Sequence, residues 1–148
     1  MLEHVNLLSY FIAKLVKPHM KIQKASEDYL ESMLMMKEQH GYIRSIDVAD
    51  HLGVTKPSVT YATKRLRENG YIEMDRDGLI TLTDRGMAIA AKMLDRHHTL
   101  TKFLIALGVD EKTAEEDACK IEHDISQQTY DVDGTRNGEY GVAVFAEK

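Results

Sequence analysis

The stretch from residue 45 to residue 82 constrains the fold most, because its helix start and stop signals are closely spaced. Ser45 is a favoured N-cap residue, and Gly53 is a favoured residue just beyond a helix C-terminus. Pro57 suits the first turn of a second helix, which the pattern continues to Asn69. Two short helices joined by a tight turn predict a helix-turn-helix.

A hairpin is predicted directly after the second helix. Apolar and polar residues alternate in Tyr71–Met74 and again in Leu79–Leu82, and Asp75–Gly78 between them is typical of a turn. This pattern predicts a β-wing whose tip carries Arg76. The two helices alone also fit an ordinary helical hairpin with a solvated basic face, but the wing favours DNA binding.

The second helix of this unit is basic. Val54–Arg67 contains four Lys or Arg residues and no acid, although the whole chain has a formal net charge of −5. Cationic side chains, hydroxyl groups and the N–H groups of a helix N-terminus bind phosphates, and an aromatic ring contacts base edges or thymine methyl groups. The predicted DNA-binding residues are Thr55, Lys56, Pro57, Ser58, Thr60, Tyr61, Lys64, Arg65 and Arg76.

A second informative stretch is Ala114–Asp124, which carries the only cysteine of the chain. Cys119, Glu122 and His123 have the i, i+3, i+4 spacing that places side chains on one face of a helix. A thiol, a carboxylate and an imidazole are common ligands of transition metals. The alternative is that Cys119 is a small buried hydrophobe beside two solvated side chains. On these three residues alone, both interpretations stay open.

Amphipathic helices are predicted on both sides of the helix-turn-helix. Lys21–Gln39 has an apolar side and carries Asp28 and Glu31, whose i, i+3 spacing either brings two carboxylates together or forms a solvated edge. The helix that begins after Thr83 and runs to Leu107 has apolar residues on more than one stripe. This pattern predicts contact with a second helix or a second subunit.

Composition limits the class of protein further. Hydrophobic residues make up 43% of the chain and charged residues 29%, which is typical of a globular protein. The single cysteine excludes an intramolecular disulfide framework and suits a reducing cytosol. Neither a secretory signal nor a membrane-spanning apolar run is present, so we expect a cytoplasmic protein. Without a nucleophile motif or a Gly-rich cofactor loop, we expect no enzyme activity.

The order of these parts resembles the diphtheria-toxin-repressor and manganese-transport-regulator (DtxR/MntR) family. The motifs that carry the resemblance are V-A-D-H-L-G-V-T-K-P-S-V-T, L-T-D-R-G and D-A-C-K-I-E-H-D-I-S, all within residues 20–126. The resemblance implies a cytosolic homodimer in which a divalent metal, bound between the DNA-binding and dimerisation domains, stabilises a form that binds operator DNA. It also implies repression of metal-uptake genes.

The resulting prediction is a mainly α fold with a small β-wing. A winged helix-turn-helix domain at residues 20–83 precedes an all-helical metal-binding and dimerisation domain at residues 84–126. Residues 1–19 are predicted to form an N-terminal helical extension. Residues 127–148 form a tail of uncertain structure, with one short strand at Val142–Phe145.

The resemblance also implies which residues ligate the metal. Asp28 stands where manganese regulators have Asp and iron regulators have Met, whereas Cys119 stands where the iron branch has Cys and the manganese branch has Glu. Thr101 replaces a Glu of many members, and Glu115 replaces a His of the iron branch. The implied ligands are Asp28, Glu31, His97, Cys119, Glu122 and His123, with Glu115 as a further candidate.

The predicted cofactor is Mn(II) or Fe(II), with Zn(II) and Co(II) as candidates in vitro. Carboxylates and imidazoles suit Mn(II) and Fe(II), whereas a thiolate favours Fe(II), Co(II) or Zn(II) over Mn(II). We therefore expect Cys119 to bias the site toward Fe(II). The main alternative function is a metal-independent winged-helix regulator that senses oxidants through Cys119. Two further alternatives are a small metalloenzyme and a protein-interaction module without DNA affinity.

Overall fold

The computed structural model describes residues 24–131, which form helices and one two-stranded hairpin. In chain order the elements are α1 (Lys24–His40), α2 (Ser45–Leu52), α3 (Lys56–Glu68), β1 (Ile72–Met74), β2 (Ile80–Leu82), α4 (Asp84–Ala106), α5 (Glu111–Ile121) and α6 (Gln127–Tyr130). The predicted mainly α fold with a β-wing is confirmed. The helix predicted in residues 1–19 and the strand predicted at Val142–Phe145 lie outside the described residues.

Local signals account for the helix-turn-helix, with one correction. The side chain of Thr55 caps α3 by accepting a hydrogen bond from the Ser58 N–H at 3.3 Å, which is worth about 1 kcal/mol. Gly53 ends α2 in the left-handed region, with φ 65°. The prediction of Ser45 as the α2 N-cap is wrong by one residue, because Arg44 holds that position without a side-chain capping bond.

The wing is an antiparallel hairpin that is tied to the segment before α2. Ile72 pairs with Leu82 and Met74 pairs with Ile80. The Ile80 N–H donates to the carbonyl oxygen of Ile43 at 2.9 Å, so this segment lies against the second strand. The turn is closed by the Asp75 carboxylate, which accepts two backbone N–H bonds, and Arg76 lies exposed within it.

One core joins α1, the helix-turn-helix, the wing and the first half of α4. Its most deeply buried residues include Leu30, Met33, Val48, Ile72 and Ala90. Burying a large aliphatic side chain contributes about 1.5–3 kcal/mol, so this shared core fixes α1 against the start of α4. The metal-ligand candidates on α1 therefore have a rigid support.

Helix α4 begins in close contact with the wing. Thr83 caps it by accepting a hydrogen bond from the Gly86 N–H at 3.2 Å. A Cβ atom on Gly86 would lie 2.0 Å from the carbonyl oxygen of Tyr71, so only glycine permits this approach. Further along, α4 packs against both α1 and α5. It therefore connects the winged helix-turn-helix to the C-terminal helices.

Helix α5 ends before the end of the Ala114–Asp124 stretch that the spacing argument treated as helical. Asp110 caps α5 by accepting a hydrogen bond from the Thr113 N–H at 3.1 Å. The helix ends at Ile121, and a turn leads to α6, which occupies the start of the predicted tail. Among residues 24–131, no helix has both the length and the apolar content needed to cross a membrane.

Candidate metal centre and DNA-binding surface

Four acidic or imidazole side chains converge where α1 meets the end of α5. Asp28, Glu31, Glu122 and His123 each offer a ligand atom, and these atoms lie within 4.8 Å of one another. Two ligands on opposite sides of one metal are about 4.4 Å apart for bonds of about 2.2 Å. The cluster therefore has the dimensions of a single coordination sphere.

The two pairs reach this position for different local reasons. Asp28 and Glu31 lie one helical turn apart on α1, so their side chains leave the same face. Glu122 is the C-cap residue of α5, and His123 follows it in the turn. Because the helix has already ended there, two consecutive residues can both face α1.

The imidazole of His123 lies at the centre of the cluster. Its Nε2 atom is 2.6 Å from an oxygen of Asp28 and 3.2 Å from an oxygen of Glu122, and the side chain is only 1% exposed. Burial alone would lower the pKa of His123, but the neighbouring carboxylates outweigh burial and raise that pKa to about 10. The imidazole is therefore protonated at neutral pH.

The carboxyls of Glu31 and Glu122 form a coupled pair. Burial, together with the hydrogen bond and the negative charge of Glu122, raises the pKa of Glu31 to about 8. Burial also opposes ionisation of Glu122, but the close contact with the His123 imidazole and the hydrogen bond from His97 lower its pKa below the ordinary value. Glu31 thus carries the proton that the pair shares, and Glu122 carries the negative charge.

Several buried ligand atoms in the cluster lack a hydrogen bond, which is the arrangement that a cation would complete. Both ring nitrogens of His123 and the Oε1 atom of Glu122 are buried without a hydrogen-bond partner. The close contacts of Nε2 do not have the angles of hydrogen bonds. Lone pairs and charges therefore converge at the cluster without forming hydrogen bonds there. The donor set of three carboxylates and one imidazole fits a hard or borderline divalent cation.

Two of the other predicted ligands, His97 and Cys119, lie next to this group and not within it. His97 on α4 shares a hydrogen bond of 3.0 Å between its Nδ1 atom and the Glu122 carboxylate. Cys119 is exposed as a residue, but partial desolvation of its thiol together with the charges of Glu122 and Glu31 raises its pKa to about 11. Glu115 is exposed on α5. The structure therefore brings four of the predicted ligands together and places His97 and Cys119 beside them.

Two residues near the site have no signal in the sequence pattern. The Glu27 carboxylate is 3.6 Å from Nδ1 of His123. Arg96 is buried on α4, and its guanidinium donates to the carbonyl oxygen of Glu122 at 2.9 Å. Both contacts join residues that are distant along the chain, so periodicity does not reveal them.

The predicted DNA-binding residues form one exposed surface on α3 and the wing tip. Helix α3, the recognition helix of the helix-turn-helix, buries Val59, Thr63 and Leu66 against the core. Its polar and basic side therefore faces solvent. The ring of Tyr61 is 65% exposed, which is unusual for an aromatic residue without a partner in the described chain. The exposed predicted residues are Thr55, Lys56, Pro57, Ser58, Thr60, Tyr61, Lys64, Arg65 and Arg76.

Charge is also favourable for DNA at this surface. The first turn of α3 contains no acid, and Arg65 and Arg67 lie near its end. Within residues 24–131, the one ion pair of α3, between Lys64 and Glu68 at 3.9 Å, is solvent-exposed and weak. A winged helix-turn-helix with a free basic face, joined to helices that gather metal-binding groups, defines a metal-responsive DNA-binding protein.

Comparisons with known proteins agree with this class. Residues 21–79 match the N-terminal DNA-binding domain of iron-dependent repressors, and residues 83–132 match the metal-binding and dimerisation domain of the same family. An uncharacterised HTH-type transcriptional regulator of Methanocaldococcus jannaschii is 40% identical over 109 residues, which are 72% of this chain and 87% of that protein. The HTH-type transcriptional regulator MntR of Bacillus subtilis is 35% identical over 105 residues, 71% of this chain and 74% of that protein.

The protein belongs to the iron-dependent repressor (DtxR/MntR) family of metal-dependent DNA-binding transcriptional regulators. Members of this family are transcriptional regulators and not enzymes, which confirms the prediction that the protein has no enzyme activity. A solved manganese-dependent transcriptional repressor in complex with manganese has a TM-score of 0.69 and 26% identity, covering 76% of this chain and 52% of that chain. The chain thus spans about half the length of that solved structure.

Proposed function

We propose that this protein is a cytoplasmic repressor of Mn(II) or Fe(II) uptake genes, whose affinity for operator DNA rises when a divalent metal binds the α1–α5 cluster. The observation that carries the proposal is the convergence of Asp28 and Glu31 with Glu122 and His123, because these pairs come from opposite ends of the described chain. A single cation at this cluster links the DNA-binding half to the C-terminal helices.

The metal acts on DNA binding through the relative position of these two halves. A ligand shifts a conformational equilibrium only by its preference for one state, so the metal favours the form in which α1 and the end of α5 are close. A coupling of about 1–3 kcal/mol changes DNA affinity about 5–150-fold, which is sufficient for a regulatory switch.

The functional unit in this proposal is a homodimer. The last turn of α4 and its C-cap residue expose large apolar side chains, namely Phe103, Ile105 and Leu107. A second copy packing on this face would set the distance between two recognition helices, and operator half-sites one helical turn apart require about 34 Å. The family match of residues 83–132 to a dimerisation domain supports this arrangement.

Two metals are favoured by the donor set. Three carboxylates with one imidazole suit Mn(II) and Fe(II), and an additional thiolate from Cys119 would favour Fe(II), or Zn(II) and Co(II) in vitro. The manganese-dependent repressor named above supports a site of this kind on this fold.

An oxidant sensor at Cys119 is a weaker candidate. Peroxide reacts with the thiolate, so reactive cysteines have lowered pKa values. The pKa of Cys119 is raised to about 11, mainly by burial and by the nearby Glu122 carboxylate. The thiol is therefore protonated at neutral pH, which is the opposite of what peroxide sensing requires.

Gel-shift titration tests the proposal, with DNA from the protein's own promoter region and from promoters of metal-transporter genes. We expect weak binding in chelator and binding at least fivefold tighter with Mn(II) or Fe(II). Glu122→Gln should abolish this gain. Glu116→Gln is the control, because Glu116 is an exposed acid on α5, the helix that Glu122 ends. If the affinity for these promoters is the same with chelator and with every metal, the proposal is overturned.

A further inference from the structure

Arg96 is a buried arginine beside the metal-ligand pair. Its side chain is 4% exposed, and it lies on α4 directly before His97. Among the described residues, its guanidinium has no ion pair with a carboxylate. Its hydrogen bonds go mainly to backbone carbonyl groups. Burying a charge without an opposite charge beside it is unfavourable, so these hydrogen bonds must offset the desolvation of the guanidinium.

The carbonyl groups that Arg96 binds flank the ligand segment. The Nη1 atom donates to the carbonyl oxygen of Glu122 at 2.9 Å and to that of Ile125 at 3.1 Å. These oxygens bracket His123 in the turn where α5 ends. A helix C-terminus leaves carbonyl groups without intrahelical partners and carries partial negative charge, so a cation is favourable there.

The same guanidinium also holds α6. Its Nη2 atom donates to the Gln127 side chain at 3.0 Å, and the guanidinium carbon lies 5.2 Å from the centre of the Tyr130 ring. The Tyr130 hydroxyl donates in turn to Asp95, the neighbour of Arg96 on α4. The turn after α5 is therefore fixed from both of its ends.

Two neighbouring residues of α4 thus hold Glu122 at different points. Arg96 binds its backbone carbonyl, and His97 binds its carboxylate at 3.0 Å. Planar donor geometry is needed to reach two carbonyl groups and a side-chain amide together, and arginine provides it while lysine does not.

We propose that Arg96 is a positioning residue that holds the Glu122–His123 turn in its metal-binding arrangement before the metal arrives. The inference rests on the proposed metal site. In a metal centre, supporting hydrogen bonds orient the ligands, and losing one typically costs about 10–100-fold in metal affinity. Arg96 supplies this support through the backbone of the ligand segment.

A matched control exists at the other end of the same helix. The guanidinium of Arg85 also donates to a backbone carbonyl, that of Asn69 at 3.0 Å, and stacks 4.7 Å from the ring centre of Tyr71. This contact lies in the DNA-binding half, away from the ligand turn. Arg85→Met therefore removes an exposed arginine–carbonyl contact far from the ligand turn, and Arg96→Met removes buried ones beside it.

The test measures Mn(II) affinity without DNA, by the free Mn(II) signal in electron paramagnetic resonance, at a temperature where circular dichroism shows each variant folded. We expect Arg96→Met to weaken Mn(II) binding about 10–100-fold, Arg96→Lys to weaken it less, and Arg85→Met to leave it within about twofold. If Arg96→Met fails to fold, Arg96→Lys retains the buried charge and carries the test.

Hydrogen exchange in the metal-free protein gives a second readout that is independent of metal binding. The Asp124 and Ile125 amides donate to the carbonyl oxygen of Ile121 at 2.9 and 3.3 Å. Both amides should exchange faster in either Arg96 variant than in wild type. In Arg85→Met they should exchange at the wild-type rate. Unchanged exchange and unchanged Mn(II) affinity would overturn the role of Arg96. A wild-type protein that binds no Mn(II) would instead overturn the metal site, while the exchange result still tests the positioning of the turn.

Discussion

Metal binding at the cluster should release about two protons per metal at pH 7. Protons partly neutralise the metal-free site, since Glu31 has a pKa of about 8 and His123 a pKa of about 10. At pH 7 these values leave Glu31 about 90% protonated and His123 almost fully protonated. Because a metal ligand must lose its proton, binding displaces both.

The sign of the pH dependence follows from these raised pKa values. Below pH 8 both groups carry protons that compete with the metal, so apparent metal affinity rises with pH. Between pH 6.5 and 7.5 the expected increase is about 80-fold with both groups and about tenfold in Glu31→Gln, where only His123 contributes. Glu31→Gln also removes a ligand, but the ratio between two pH values does not depend on absolute affinity.

The proton count also tests Cys119 as a ligand. Its pKa of about 11 keeps the thiol protonated, so coordination through sulfur would release a third proton. Isothermal titration calorimetry with Mn(II) and with Fe(II), in two buffers of different ionisation enthalpy, counts the protons. About three protons with wild type and two with Cys119→Ser would identify a thiolate ligand. A count below one in wild type would refute the protonated site.

The remaining predictions concern DNA contacts and metal choice. Replacing Arg65 on the exposed face of α3 with Ala should reduce the slope of log affinity against log salt concentration by about 0.9, because one phosphate contact releases about that many counterions. The exposed Lys92→Ala on α4 is the control, and equal slopes in both variants would contradict a phosphate contact by Arg65. Cys119→Glu should move the activation order from Fe(II) toward Mn(II), measured by gel shift with each metal. An unchanged order would show that the thiol does not set metal preference.

The helix-turn-helix and the wing could be predicted from the sequence because their signals are local. Gly53, Thr55 and Pro57 act within a few residues of where they stand, and the two strands of the wing are adjacent in the chain. The error at Ser45 has the same origin. Residue preference favours Ser45 as the N-cap. However, Arg44 pairs with Leu79 of the wing, and the helix begins directly after Arg44, so the N-cap lies one residue earlier.

The ligand cluster could be predicted only in part. The i, i+3, i+4 spacing placed Cys119 on one face with Glu122 and His123, but this argument requires a continuous helix. The helix ends at Ile121, so the last two residues follow turn geometry and reach α1, while Cys119 stays exposed on the helix. The pairing of α1 with α5 is a tertiary contact, and it was expected only from the family resemblance.

The protonated cluster changes the expected effect of the metal. Acidic residues held together without a metal should repel one another, yet Asp28 and Glu31 lie beside Glu122 because a proton on Glu31 and a protonated His123 offset the charge. Protons and metal therefore neutralise the same atoms in competition. The metal must do more than relieve the repulsion between the carboxylates, because the protons on Glu31 and His123 already relieve it. The metal's contribution must come from bonds to the converging lone pairs that protons leave unsatisfied, and those bonds join α1 directly to the turn that Arg96 holds.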